Sequence, residues 1–275
     1  MMKKNIFYSV VALATVALTT ACSDIDPDKR TTYVKPAEVG RAVLVEDFTG
    51  QRCINCPNGT EEINKIVETY GEENIIAVGI HSGPLGFNGS TRYPVGLATD
   101  EGNTYYKNWD SQSKLGQPWV VFNRDTEPNE DYSTWADDVT YEVQKKAALS
   151  LTVNNTYDAS SRQLTTSIAS FGTDGNTTGK LQVWLVEDGI TAMQMMPNGK
   201  VNAEYVHNHV FRTSVNGTWG EDIKVQEGVN TLNTYTYTLP DNYNADNVSV
   251  VAFVYNDGGV QQVTKKSITE KETND

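Results

Sequence analysis

Two cysteines three residues apart, Cys53 and Cys56, stand between an apolar run and an amphipathic stretch, and this order limits the folds open to the chain more than any other feature. Ala42 to Phe48 is mostly apolar and suits a buried strand. After the pair, Pro57 sits near the start of the next element. Ile63, Ile66, Val67 and Tyr70 then recur at i, i+3, i+4 and i+7, the period of an amphipathic helix, which Gly71 ends. Asn74 to His81 is a second apolar strand. Strand, helix and strand in this order predict a β-α-β unit with parallel pairing. At such a junction the first sulfur lies at the helix N-terminus, where unpaired N–H groups and the helix dipole favour a thiolate. Cys53 is the expected nucleophile, and Cys56, one turn in, the thiol that resolves a mixed disulfide.

The chain's other cysteine, Cys22, has a different setting. Lys3 and Lys4, an apolar run from Ile6 to Leu18, and Thr19-Thr20-Ala21 before Cys22 follow the order of a secretory signal peptide. The run is shorter than the roughly 20 apolar residues that span a bilayer. A cysteine behind small residues resembles the bacterial lipobox, so residues 1–21 are expected to be a lipoprotein signal peptide and Cys22 the lipidated anchor, in preference to plain secretion. Residues 22–40 read as a polar tether. Cys53 and Cys56 are then left to pair with each other, and outside the cytosol such a pair can stay oxidised. The formal charge is −13, and processing would remove two lysines and no acid. Such a chain repels phosphate backbones, which argues against nucleic acid as a partner.

Further along, a short helix is expected through Tyr105, Tyr106 and Trp109, a strand at Trp119 to Phe122 with Pro118 before it, and a closing helix on Trp135, Val139 and Val143. Helix signals then stop. Seven strand-length runs follow, Leu149–Thr156, Leu164–Ala169, Leu181–Val186, Tyr205–Arg212, Thr234–Leu239, Val248–Tyr255 and Val260–Ile268, separated by Gly, Asn and Asp turns. This spacing predicts an antiparallel sandwich of immunoglobulin-like type. In a strand over Tyr205–Arg212, His207 and His209 would share one face. Two imidazoles without further ligands are too few for an ordinary metal site, so packed histidines are the expectation. No phosphate loop, Ser/His/Asp grouping or carboxylate dyad stands out, and no cofactor is expected.

With these elements in order, the first part of the chain resembles the thioredoxin superfamily. Its members carry an acid-aromatic pair at the end of the strand before the cysteines, here Asp47-Phe48, and a cis-proline before a later strand, the position of Pro118. The resemblance implies that Asp47 accepts a proton from Cys56 and that Pro118 shapes a substrate groove. Glu46 competes with Asp47, because a one-residue register shift exchanges the faces of a strand. Arg52 is placed to lower the Cys53 pKa by proximity or simply to be solvated. The tryptophan that thioredoxins place before the first cysteine is absent, and Ile54-Asn55 stands for their Gly-Pro. The fold expected is an α/β thioredoxin-like domain over residues 41–147 followed by an all-β immunoglobulin-like sandwich domain over 148–270, with a polar tail at 271–275.

Cys-x-x-Cys-Pro in the first part, with Tyr205-Val206-His207-Asn208-His209-Val210-Phe211-Arg212 in a β-rich second part, looks like the outer-membrane-protein-28-related lipoproteins of Gram-negative bacteria. That resemblance implies an outer-membrane address, on the periplasmic or the surface face. Two functions follow as expectations. One is a cell-envelope thiol-disulfide oxidoreductase using Cys53, Cys56, Asp47 and Pro118, with protein or peptide thiols and disulfides as partners. The other is a surface-exposed binding or adhesin-like lipoprotein in which the Cys53–Cys56 disulfide is structural.

Overall fold

The apolar run ahead of the cysteines becomes β1 (Val43–Thr49), buried along its whole length; the structure is a computed structural model that describes residues 40–269. The period-3.6 stretch forms α1 (Cys56–Tyr70), with Pro57 in its first turn and Gly71 at its end, where φ of +88° suits a residue without Cβ. β2 (Ile75–His81) runs parallel to β1, placing Asp47 opposite Gly79 and Thr49 opposite His81. α2 (Asp100–Trp109) follows, capped by Thr99, whose Oγ1 accepts the Gly102 N–H at 2.9 Å. β3 (Trp119–Phe122) lies antiparallel to β1, and α3 (Trp135–Glu142) closes this part. Ile63 and Ile66 of α1 and Trp135 and Val139 of α3 pack on Val43, Val45, Ile75, Ala77 and Val120, one face of the three strands.

The rest is β: β4 (Leu149–Asp158), β5 (Gln163–Gly172), β6 (Thr177–Glu187), β7 (Ile190–Met195), β8 (Val201–His207), β9 (Val210–Ser214), β10 (Glu221–Val225), β11 (Asn230–Thr238), β12 (Val248–Asn256) and β13 (Gly259–Ser267). They do not close among themselves. β9 pairs with β6 on one side and with β2 on the other, giving one sheet in the order β13-β12-β6-β9-β2-β1-β3, with β10 also on β6. The join rests on Gly79, whose N–H donates to His209 O at 2.8 Å. The sheet curls until its ends meet, for the Val260 N–H at the start of β13 donates to Asn123 O just past β3 at 2.6 Å. Leu44, Phe48, Ile76, Trp119, Trp184, Phe211 and Phe253 fill the concave side. On the outer side, α1 and α3 cover one half, and the three-stranded sheet β11-β5-β4 packs on β6 and β12 over the other.

This corrects the expected fold class. An α/β thioredoxin-like domain followed by an all-β immunoglobulin-like sandwich is not what forms: thirteen strands against three α-helices make the described residues mostly β, no thioredoxin-like α/β domain is evident, and one sheet runs through both halves. The physical reason is the bare edge of β2. An unpaired edge offers a row of free N–H and C=O groups, and β9 takes it up. The Tyr205–Arg212 run also differs from expectation. It is broken after His207 at Asn208-His209, with His209 at φ +56°, so its halves belong to two strands and the imidazoles do not share a face. The signal peptide, the anchor Cys22, the tether as far as residue 39 and the tail at 271–275 lie outside the described residues.

Candidate functional site

Cys53 and Cys56 form a disulfide at the start of α1, with Cα atoms 5.4 Å apart. The Cys56 N–H donates to Cys53 Sγ at 3.0 Å, so an unpaired helix N-terminal donor rests on the sulfur expected to be nucleophilic. Cys53 Sγ also lies 3.3 Å from Gln117 O. The Gln117–Pro118 peptide bond is cis, and Pro118 lies against Gly59 of α1, where an added Cβ would meet Pro118 Cγ at 3.0 Å.

The tip residues Ile54 and Asn55 are exposed, yet the cysteines are only 1% and 2% exposed. What covers them is the β7–β8 ribbon. Gln194 donates through Nε2 to Cys53 O at 2.8 Å and Gly50 O at 3.3 Å, and the Met195 N–H donates to Gln51 O at 2.9 Å. Gln51 answers, its Nε2 donating to Met193 O at 3.0 Å and Val95 O at 3.1 Å while its Oε1 accepts the Leu97 N–H at 2.8 Å. These two buried amides fasten the cysteine loop, the ribbon and the segment before α2 to one another. The sequence carried no local sign of this: Gln51 sits in a turn and Gln194 in a methionine-rich run, and only the fold brings them together.

Beneath the disulfide is a cavity of about 40 Å³, bordered by Cys56, Asp47, His81, Tyr205 and His207. Asp47 shares the helix-side face of β1 with Val43 and Val45, is buried, and has no hydrogen-bond partner for Oδ1 among the described residues. Burial pushes its carboxyl up to about 7. Glu46 points to the concave side and pairs with Arg124, Nε to Oε2 at 3.0 Å and Nη2 to Oε1 at 2.9 Å. The register therefore places Asp47, not Glu46, at the cavity with Cys56. Arg52 is exposed and sits 5.0 Å over the Phe87 ring. His81 and His207 meet edge to face with ring centroids 5.1 Å apart. Burial drives both below the usual imidazole range, His207 to about 4, and for His81 the neighbouring His207 and Arg212 add to it. His209, the other histidine of the run, pairs instead with Asp188, Nδ1 to Oδ1 at 3.1 Å. Among the described residues no group of three or more His, Cys, Asp or Glu side chains is placed to hold a metal ion.

The family described as outer membrane protein Omp28 matches residues 102–272. Among solved structures, HBP35 of Porphyromonas gingivalis is similar with a TM-score of 0.66 at 16% identity, over 87% of this chain and 79% of that one, a likeness of fold. A domain of the outer membrane lipoprotein Omp28 from Porphyromonas gingivalis shares 27% identity over 45% of this chain and 89% of that one, with a TM-score of 0.33. No curated protein sequence matched.

Proposed function

The chain belongs to the Omp28 family of outer membrane proteins, and from that premise we propose that it is an envelope lipoprotein, anchored through Cys22, whose Cys53–Cys56 pair exchanges with thiols and disulfides of exported proteins or peptides. Its address is the outer membrane of the cell envelope. No helix among the described residues is long and apolar enough to cross a membrane. The observation that carries the proposal is Asp47. An unpaired buried carboxyl with a pKa of about 7, bordering one cavity with Cys56, supplies a proton at the pH where a thiol needs one. In the exchange a substrate thiolate attacks Cys53 Sγ, the Cys53–Cys56 bond breaks, and Cys56 leaves as a thiolate that takes the Asp47 proton. A second substrate thiolate then displaces Cys53, so the substrate gains a disulfide and the pair is reduced. A substrate reaches Cys53 by displacing Gln194 and the ribbon that bears it.

Burial of both sulfurs favours a second reading, a surface-binding protein with a static disulfide. Turnover separates the two. Full-length protein should oxidise a reduced peptide or reduce insulin, and Cys53→Ser should abolish this; equal rates in the two proteins would sink the exchange reading. A reduction potential below about −300 mV would mark the bond as structural.

A further inference from the structure

Three buried polar atoms without a partner, Asp47 Oδ1, His81 Nδ1 and His207 Nε2, belong to side chains that border the cavity beside Cys56. Each of these residues is 5% exposed. Buried polar atoms in folded proteins are nearly always satisfied, so three around one space point to something polar inside it. Their placement is not that of a metal site. At about 40 Å³ the cavity has room for water. Its rim includes Asn64 and Asn208, both exposed, so the space reaches the surface.

We propose that His81 and His207 are positioning residues of the Cys53–Cys56 couple, which together with Asp47 and cavity water form the path by which the Cys56 proton enters and leaves. The proposal rests on the exchange reading and adds to it that the second half of the chain supplies part of the redox site. When the disulfide opens, its electron pair goes to Cys56, Asp47 gives its proton to that sulfur, and Asp47 is left as a carboxylate. Water at the rim then restores the Asp47 proton through the two imidazoles. A neutral imidazole suits this task because one ring nitrogen donates while the other accepts. Neutrality is secured by burial, by the 5.1 Å approach of the rings, and by Arg212 of β9 acting on His81. The titratable groups facing the cavity are Asp47 from β1, Cys56 from α1, His81 from β2, Tyr205 and His207 from β8, and His209 from the turn before β9.

The test follows reduction of the disulfide in the full-length chain by excess dithiothreitol across pH, in wild type, His81→Gln and His207→Gln. The amide keeps a polar side chain in the cavity but cannot pass a proton on. Wild type should show a break near pH 7 from Asp47, and each variant should react at least about fivefold more slowly above that break, where Asp47 must first take up a proton through the imidazoles, with the reduction potential unchanged. Equal rates and pH profiles in all three proteins overturn the proposal. Ring-nitrogen NMR of oxidised wild type reads the same coupling without variants or turnover. The His81 and His207 resonances should shift with a midpoint near pH 7, and resonances flat from about pH 5 to 9 overturn the proposal even where exchange is active. A wild-type disulfide that no thiol reduces removes the exchange reading, and the proton path with it.

Discussion

On the concave face of β1, Glu46 meets a guanidinium held over the rings of Trp184, Phe253 and Tyr255, and both of its carboxylate oxygens have a partner. On the opposite face, one residue on, Asp47 meets α1, two histidines and a cavity, and an oxygen is left without a partner. Both acids are buried to a similar degree, 0% and 5% exposed, so depth does not separate them. The partner does. A buried carboxyl given a cation becomes a fixture of the core, whereas one denied a cation keeps its proton into the neutral range and can give it away. The strand thus carries, side by side, an acid fixed in an ion pair and an acid buried without one.

The contrast can be broken by removing each acid in turn. Glu46→Ala strands Arg124 in the core and should cost about 3–5 kcal/mol at neutral pH, measured by urea unfolding. A cost below about 1 kcal/mol would mean that Arg124 finds other partners and the pairing is not what separates the faces. Asp47→Asn should act in the other direction. Between about pH 4 and 7 the folded chain holds the Asp47 proton and the unfolded chain has lost it, so wild-type stability falls as pH rises through that window. The variant should remove this slope, matching wild type at pH 4 and exceeding it by about 2–4 kcal/mol at pH 8; parallel stability curves would show that Asp47 is already ionised at neutral pH. The smallest effect is expected from Cys53→Ser with Cys56→Ser. So short a loop is worth about 2 kcal/mol, and a loss well above that, read by thermal unfolding, would turn the disulfide into a structural staple and weaken the case for Asp47 as its proton partner.

Local elements were legible wherever apolar residues kept a clean period. The strands before and after α1, the helix itself and the run at Trp119 all follow side-chain burial, which sequence period reports directly. Two strands escaped. Ile190–Met195 lacks apolar alternation, and Glu221–Val225 is charged at three of five positions, so neither shows a strand pattern. The choice between Glu46 and Asp47 stayed open because alternation identifies two faces without saying which one α1 will cover. The histidines stand out in their run, but the break at Asn208-His209 depends on β9 leaving β8 to join β2, a pairing with a partner far off in the sequence. The same distance hid the continuous sheet and the buried amides Gln51 and Gln194, whose roles exist only once the ribbon has folded over the cysteine loop.

The seam at Gly79 and Val210 also sets an order of events in folding. β2 waits for a neighbour about 130 residues downstream, so the first half cannot complete its own sheet as it emerges, and closing so long a loop is slow. Until β9 arrives, β2 presents a naked template for aggregation. That edge stays open longest, and amide hydrogen exchange should find the parallel β2–β9 contact among the last to gain protection during refolding.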